Sequence, residues 1–379
     1  MSHPGSTRRP RVPVGRALRK LRLKYGYGFR GDDLSMYGIS LDQPLGEVVD
    51  SHLGYHTYLN QVRPTFNDAS QLVLTDNKWV FYKLAASHGL PIPETLGLYD
   101  PAVGVRWDGA PWTALEDVSD DICRSGRASV VVKPAGGKKA QHVFILDEIA
   151  AATGAAVLRT GERTSVREVL EALDVRPQVT GHDYPGYVVQ ATVAPHRVLR
   201  DLAPGSSTTR IVTLLTSSGN VEVLGAVQTL ARAGAMVDAW SVGALAVGID
   251  LESGRLGEGV LRPEFGSERM RVHPDTGQEF SGVGLPHWEQ AVEMVTHGAR
   301  MLPSLRTIGW DVLISDAGPV VLEANPNWGL HKIQTHAGGL LRQAAFRREL
   351  EAANVELPSG RPAWRQVPQD VRELLGRAR

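Results

Sequence analysis

Two apolar runs near the C-terminal end of this 379-residue chain constrain it most: Thr307–Ser315 (TIGWDVLIS) and Val320–Asn325 (VVLEAN). They flank Asp316-Ala-Gly-Pro, a turn sequence. Apolar, β-branched runs on either side of a turn read as paired antiparallel strands. Three oxygen-bearing side chains interrupt them: Asp311, Glu323 and Asn325. Glu323 and Asn325 are two apart, so their side chains leave the same face of a strand. Asp311 precedes Asp316 by five positions and Glu323 follows Gly318 by five, so pairing can bring them together. Carboxylates in such apolar surroundings need a partner. One option is arginine on a solvated face. The other is a cation, and a set of oxygens without thiolate or imidazole suits Mg2+ or Mn2+. The apolar flanks favour the metal.

Composition removes several alternatives. Cys123 is the single cysteine, which excludes an intrachain disulfide and a zinc site of several thiolates. Lys plus Arg and Asp plus Glu both total 41, so net charge predicts neither nucleic-acid nor anionic-membrane binding. The N-terminus is basic but lacks the apolar core of a secretory signal, and no run has the length of a membrane span. These features lead to the expectation of a cytoplasmic protein. Residues 1–30 carry nine Lys or Arg and no Asp or Glu. Either a solvated tail leads into a basic helix, or this is a docking surface for an anionic substrate or partner protein.

The remaining pattern alternates helices and short strands. Asp76–His88 (DNKWVFYKLAASH) reads as a helix capped by Asp76 or Asn77, with Val80, Leu84 and Ala85 at helical spacing and Gly89 ending it. Ser129–Lys133 and His142–Leu146 read as a hairpin joined by a glycine loop. Ser165 begins a helix over Ser165–Leu173, with Glu168 three residues on. Tyr187–Val193, Thr209–Leu215, Val221–Thr229 and Ala244–Asp250 read as strands, and His287–Leu302 as a helix. From residue 341 onward one or two charged helices are expected, interrupted around Pro358 and Pro362. Lys133 ends a buried strand just before Gly136-Gly137, where glycine lets backbone N–H groups approach a phosphate and lysine supplies a point charge. Lys138 and Lys139 are the next cations that could reach it, although the Walker spacing is absent.

Taken in order, these residues resemble the ATP-grasp superfamily. They are Asn77-Lys78 opening a helix, Lys133 before a glycine-rich hairpin, Val189-Gln190, Thr209-Arg210, and Asp311 with Glu323-Ala-Asn325. The closest likeness is to the sugar-transfer-associated group, related to the alpha-L-glutamate ligases. It is supported by Ser207-Thr-Thr-Arg-Ile-Val-Thr, His273-Pro-Asp-Thr-Gly and Ile308-Gly-Trp-Asp, and it covers about residues 50–340. It implies an α+β fold in which two lobes grip ATP: an N-terminal region over 1–110, a lid over 111–188, a metal-binding subdomain over 189–340 and a helical extension over 341–379. Lys78 and Lys133 would contact the phosphates, and Gly136 and Gly137 would lie in a mobile lid. Gln190 would begin the hinge whose backbone receives adenine, and His196 would be a candidate for the ribose. Arg210 would face the γ-phosphate. Asp311, Glu323 and Asn325 would hold two Mg2+ ions, with Mn2+ as a substitute and Glu323 bridging. The activity implied is an ATP-dependent ligase joining a small-molecule or peptide carboxylate to an amine through an acyl phosphate, with no nucleic-acid partner. The alternatives are a phosphotransferase on the same site and a non-catalytic nucleotide-binding protein. The chain departs from the family's common pattern at Val237-Asp238-Ala239-Trp240, a region that would shape the acceptor pocket.

Overall fold

The computed structural model describes residues 14–137, 142–173, 184–203, 205–233, 239–266, 268–360 and 368. The chain divides into two compact units, residues 1–65 with 338–379 and residues 66–337. The first unit thus joins both ends of the chain, which the sequence divides into separate segments 1–110 and 341–379. Its basic helix Val14–Tyr27 buries Leu23 and leaves Lys20, Arg22 and Lys24 exposed. Arg16 on that helix pairs with Asp42 at 2.6 Å. The helix Ala344–Ala352 belongs here too, and Arg347 donates to the Asp50 carbonyl at 3.1 Å. The basic residues of 1–13 and the extension beyond Gly360, Pro368 apart, lie outside the described residues.

The second unit contains two seven-stranded sheets in which every paired neighbour is antiparallel. The first comprises β1 (Thr95–Tyr99), β2 (Val105–Arg106), β3 (Val130–Pro134), β4 (Phe144–Asp147), β5 (Ala155–Leu158), β6 (Arg163–Ser165) and β7 (Tyr187–Ala191), in the order β2-β1-β7-β3-β4-β5-β6. It therefore begins within the stretch the sequence divides off at residue 110, because β1 is short and its partner β7 lies far along the chain. One face packs on the helices Leu115–Arg124 and Val166–Ala172 through Val118, Ile122, Val169 and Leu170. Ser165 caps the latter helix by accepting from the Glu168 N–H, as its spacing predicts.

The second sheet comprises β8 (Ser207–Leu215), β9 (Val221–Leu230), β10 (Leu245–Ile249), β11 (Leu256–Val260), β12 (Arg269–Met270), β13 (Thr307–Ser315) and β14 (Gly318–Asn325), in the order β12-β11-β10-β9-β8-β13-β14. Ile308, Trp310, Val312 and Ile314 alternate along β13 into the core, where the helix Trp288–Met301 packs with Ala291, Val295 and Ala299. The opposite face carries Asp311. Helices are thus segregated from two antiparallel sheets, the α+β class the resemblance implies. Among the described residues no helix is long and apolar enough to cross a membrane.

The helix after Asn77 runs Lys78–Ser87, and Asn77 rather than Asp76 caps it, its side chain accepting from the Val80 N–H at 3.2 Å. Its buried stripe is Lys78, Phe81, Tyr82 and Ala85; of the three apolar positions picked out by spacing, Ala85 is buried, and Val80 and Leu84 are half-buried. The spacing of three, one and three is the face of a 3.6-residue helix. That face brings a lysine and a tyrosine into the interior.

Candidate active site

The β13–β14 hairpin turns on Asp316-Ala317 alone, with Ser315 opposite Gly318. Regular pairing continues to Val312 opposite Val321, and there the register shifts. One extra residue, Leu322, is accommodated on β14, and Glu323 then stands opposite Asp311. This bulge decides the chemistry. Without it Glu323 and Asn325 would oppose Trp310 and Ile308, on the core face. With it they share the face of Asp311, while Val321 and Ala324 both enter the core.

Arg210 is directly opposite Asp311 on the neighbouring strand β8. Its Nε and Nη2 donate to the two Asp311 oxygens at 2.6 and 2.8 Å, a bidentate pair. Arg210 Nη1 also donates to the Trp328 carbonyl at 3.2 Å. Asn325 Nδ2 donates to Asp311 Oδ2 at 3.0 Å. A carboxylate only accepts, so this contact orients the amide and leaves the Asn325 carbonyl oxygen for another donor or cation. Gly309, between these groups, has no room for a side chain: a Cβ would overlap Trp328 and come within 2.9 Å of Arg210 Nη1.

The lysines reach the same place from elsewhere. Lys78 opens its helix; its backbone N–H donates to the Ala135 carbonyl at 2.7 Å and its Nζ to the Gly137 carbonyl at 3.1 Å. That Nζ also lies 3.5 Å from Glu323 Oε1. Lys133, near the end of β3, is buried and donates to the Tyr82 hydroxyl at 2.7 Å. Burial pushes its ammonium down to about 8; Glu323 opposes that shift and Lys78 adds to it. Burial pushes the Glu323 carboxyl up, and Lys78, Lys133 and Arg210 together outweigh it, leaving the group below its ordinary value. Two cations and an ionised carboxylate are therefore held in one electrostatic cluster.

Gln190 is fully buried on β7, opposite both Thr95 and Val131. Its Nε2 donates to Thr95 Oγ1 at 2.8 Å, and Thr95 donates onward to the Pro93 carbonyl at 3.0 Å. The chain leaves β7 at Ala191 and passes through residues 192–196 to the second sheet. His196 is not brought into the cluster. It caps the helix Arg197–Leu202 with its ring and lies 3.6 Å from Asp316 at the turn of the β13–β14 hairpin, the opposite end from Asp311. Gly136 and Gly137 continue the chain beyond β3; Lys138 and Lys139 lie outside the described residues, as do Val237 and Asp238.

The pattern of apolar positions does not single out Tyr82. Its hydroxyl donates to the Leu322 carbonyl at 2.6 Å and accepts from Lys133. The signal that could have found it is its spacing, since Tyr82 follows Lys78 by four residues and therefore shares its helix face. Trp328 carries no sequence signal of this kind, because its contact with Arg210 is made through a backbone carbonyl.

No curated protein matches the sequence significantly. Among solved structures, the chain is similar to an ADP complex of N5-carboxyaminoimidazole ribonucleotide synthetase, at 13% identity and a TM-score of 0.40 over 77% of this chain and 55% of that one. It is similar to the Thermotoga maritima form of that enzyme at 13% identity and a TM-score of 0.39, over 77% and 53%. It is similar to D-alanyl-alanine synthetase A from Vibrio cholerae at 12% identity and a TM-score of 0.37, over 80% and 66%. The matched part spans less than two thirds of each of those chains. The family model for sugar-transfer associated ATP-grasp matches residues 59–348, which take in every strand and every residue of the cluster. The chain belongs to the sugar-transfer associated ATP-grasp family.

Proposed function

We propose that the chain is an ATP-dependent carboxylate–amine ligase that releases ADP and phosphate. The observation that carries this reading is the meeting of Lys78 and Lys133 with Glu323, beside the network of Asp311, Arg210 and Asn325. Phosphoryl transfer demands positioning and charge neutralisation more than covalent chemistry. The acidic set fits a divalent cation: two carboxylates and an amide oxygen are hard donors, and the amide is already turned by its contact with Asp311. When bound, Mg2+ would offset the charge on the phosphate oxygens. Asp311, Glu323 and Asn325 would hold two such ions, while Lys78 and Lys133 bind phosphate as point charges. Arg210 would face the γ-phosphate, kept in place by Asp311 and the Trp328 carbonyl. The backbone that begins at Gln190 would receive the adenine edge, and the Gly136-Gly137 connection would cover the phosphates.

In the reaction, a substrate carboxylate oxygen attacks the γ-phosphorus and the bond to the β–γ bridging oxygen breaks, so ADP leaves. An amine nitrogen then attacks the acyl carbon, the carbon–oxygen bond to phosphate breaks, and the nitrogen loses a proton. The substrates on this reading are small-molecule or peptide carboxylates and amines. The experiment is a thermal shift with Mg-ATP, followed by an ADP-release screen over amino-acid and peptide pairs. Stabilisation by Mg-ATP and a pair that releases ADP and free phosphate in step are expected. No shift with Mg-ATP overturns the nucleotide reading, and phosphate retained on the product overturns the ligase.

A further inference from the structure

Tyr82 has no exposed surface, and beside the Gln190 side chain its hydroxyl meets two groups from other elements. One is the carbonyl of Leu322 at 2.6 Å, and the other is the ammonium of Lys133 at 2.7 Å. A phenol has one proton, and a carbonyl can only accept. The proton therefore goes to Leu322, and the contact with Lys133 must be donated by lysine. The direction of the chain is fixed: Lys133 donates to Tyr82, and Tyr82 donates to Leu322.

The three groups come from three separate elements. Lys133 is the last residue but one of β3 in the first sheet. Tyr82 lies on the helix Lys78–Ser87. Leu322 is the extra residue of the β14 bulge, the one that turns Glu323 toward Asp311. The same helix presents Lys78, one turn earlier, to Glu323 at 3.5 Å. The Lys133 ammonium also lies 5.0 Å from the centre of the Tyr82 ring. From this juxtaposition we infer that Tyr82 is a positioning residue, which holds the Lys133 ammonium against the bulge of the β13–β14 hairpin before nucleotide arrives.

The functional consequence rests on the nucleotide reading above, whereas the contact itself does not. A free lysine has many rotamers, and ordering it on binding costs affinity. An ammonium already held by a buried hydroxyl loses less freedom when phosphate approaches. The same hydroxyl keeps one polar partner for the Leu322 carbonyl, so a change in the bulge is felt at the lysine.

The test is a double-mutant cycle in the full chain, with Mg-ATP affinity measured by calorimetry. Y82F is expected to weaken binding about tenfold, the scale of one hydrogen bond to a charged group. In a K133A background the same change is expected to alter affinity less than about twofold, since the group it positions is gone. An equal loss in both backgrounds overturns the inference, because a purely structural hydroxyl acts regardless of the lysine. Unchanged affinity in Y82F overturns it as well. A second measurement uses the unmodified, nucleotide-free chain, so that a Y82F protein unable to fold leaves the matter decidable. With isotope labels confined to lysine side chains and tyrosine rings, a nuclear Overhauser contact between Lys133 and Tyr82 is expected, and its absence overturns the inference. A parental chain that binds no Mg-ATP refutes the nucleotide reading instead, and the Overhauser contact still decides whether Tyr82 holds Lys133.

Discussion

Two hairpins contribute charges to the candidate site, beside Lys78 from a helix and Arg210 from β8, and they are built in opposite ways. The β13–β14 pair closes on two residues and is locked across its neighbour by the Arg210–Asp311 pair. The β3–β4 pair is joined by residues 135–143, including Gly136 and Gly137, and its lysine takes its partner from a helix outside the hairpin. The first arrangement specifies which face each side chain occupies. The second leaves a long connection beside a cation whose position is set elsewhere. Groups that must converge on one point are placed by register, and the group beside the long connection is placed by a buried hydroxyl.

The largest expected effect breaks the first hairpin's chemistry without breaking its fold. Glu323→Gln keeps the shape and removes the charge that Lys78 and Lys133 surround. ADP release should fall at least about 100-fold, the scale of losing a key electrostatic contact, with an unfolding midpoint near the parental one. Release at the parental rate would detach the carboxylate from the reaction.

Lys133→Ala asks the same of the second hairpin. Nucleotide affinity should fall roughly 10- to 100-fold by calorimetry, as expected for loss of charge-assisted contacts. Unchanged affinity would make the glycine connection a simple turn.

A pH series sharpens the contrast. The Lys133 ammonium titrates at about 8 in the folded chain against 10.5 for the free side chain. Binding that needs the charged form should therefore weaken as pH rises above 8, by up to about tenfold per unit. The folded state binds fewer protons than the unfolded state between those values, so this group adds stability as pH rises through that window. Lost affinity in that range accordingly does not signal unfolding, and it should be absent in Lys133→Ala. Affinity independent of pH up to about 10 in the parental chain would disprove the dependence on the charged lysine.

The smallest effect concerns packing. Gly309→Ala should cost about 1–3 kcal/mol in thermal or denaturant unfolding, because its methyl group meets Trp328 and the Arg210 guanidinium. Gly284→Ala, where a Cβ would meet nothing within 4 Å, should cost well under that, and equal costs would remove the close approach at Gly309 as the cause.

Much of the fold is legible in local preferences along the chain. The β-branched runs of β3, β7, β8, β9 and β13 mark themselves, since burying such side chains on a pleated surface is a local preference. Ser165 and Asn77 mark helix starts for a local reason too, as a side-chain oxygen reaches an N–H two or three residues on. The strand Thr95–Tyr99 is not legible, because its order depends on β7, more than eighty residues later. The buried face of the Lys78 helix escapes the sequence pattern for a related reason: its apolar residues lie on several sides, and only the packed sheets select one.

The residue types of the site follow from the chain alone: two carboxylates, an amide, two lysines and an arginine, each in an element whose kind the local pattern names. Their convergence does not. Side chains on a strand alternate, so a shift of one position sends a whole set to the opposite face. The bulge at Leu322 makes that shift, and its carbonyl is met by a tyrosine from a distant helix. Local preference depends on neighbours in sequence, whereas register, ion pairing across strands and the relay through Tyr82 depend on neighbours that exist only once the chain has folded.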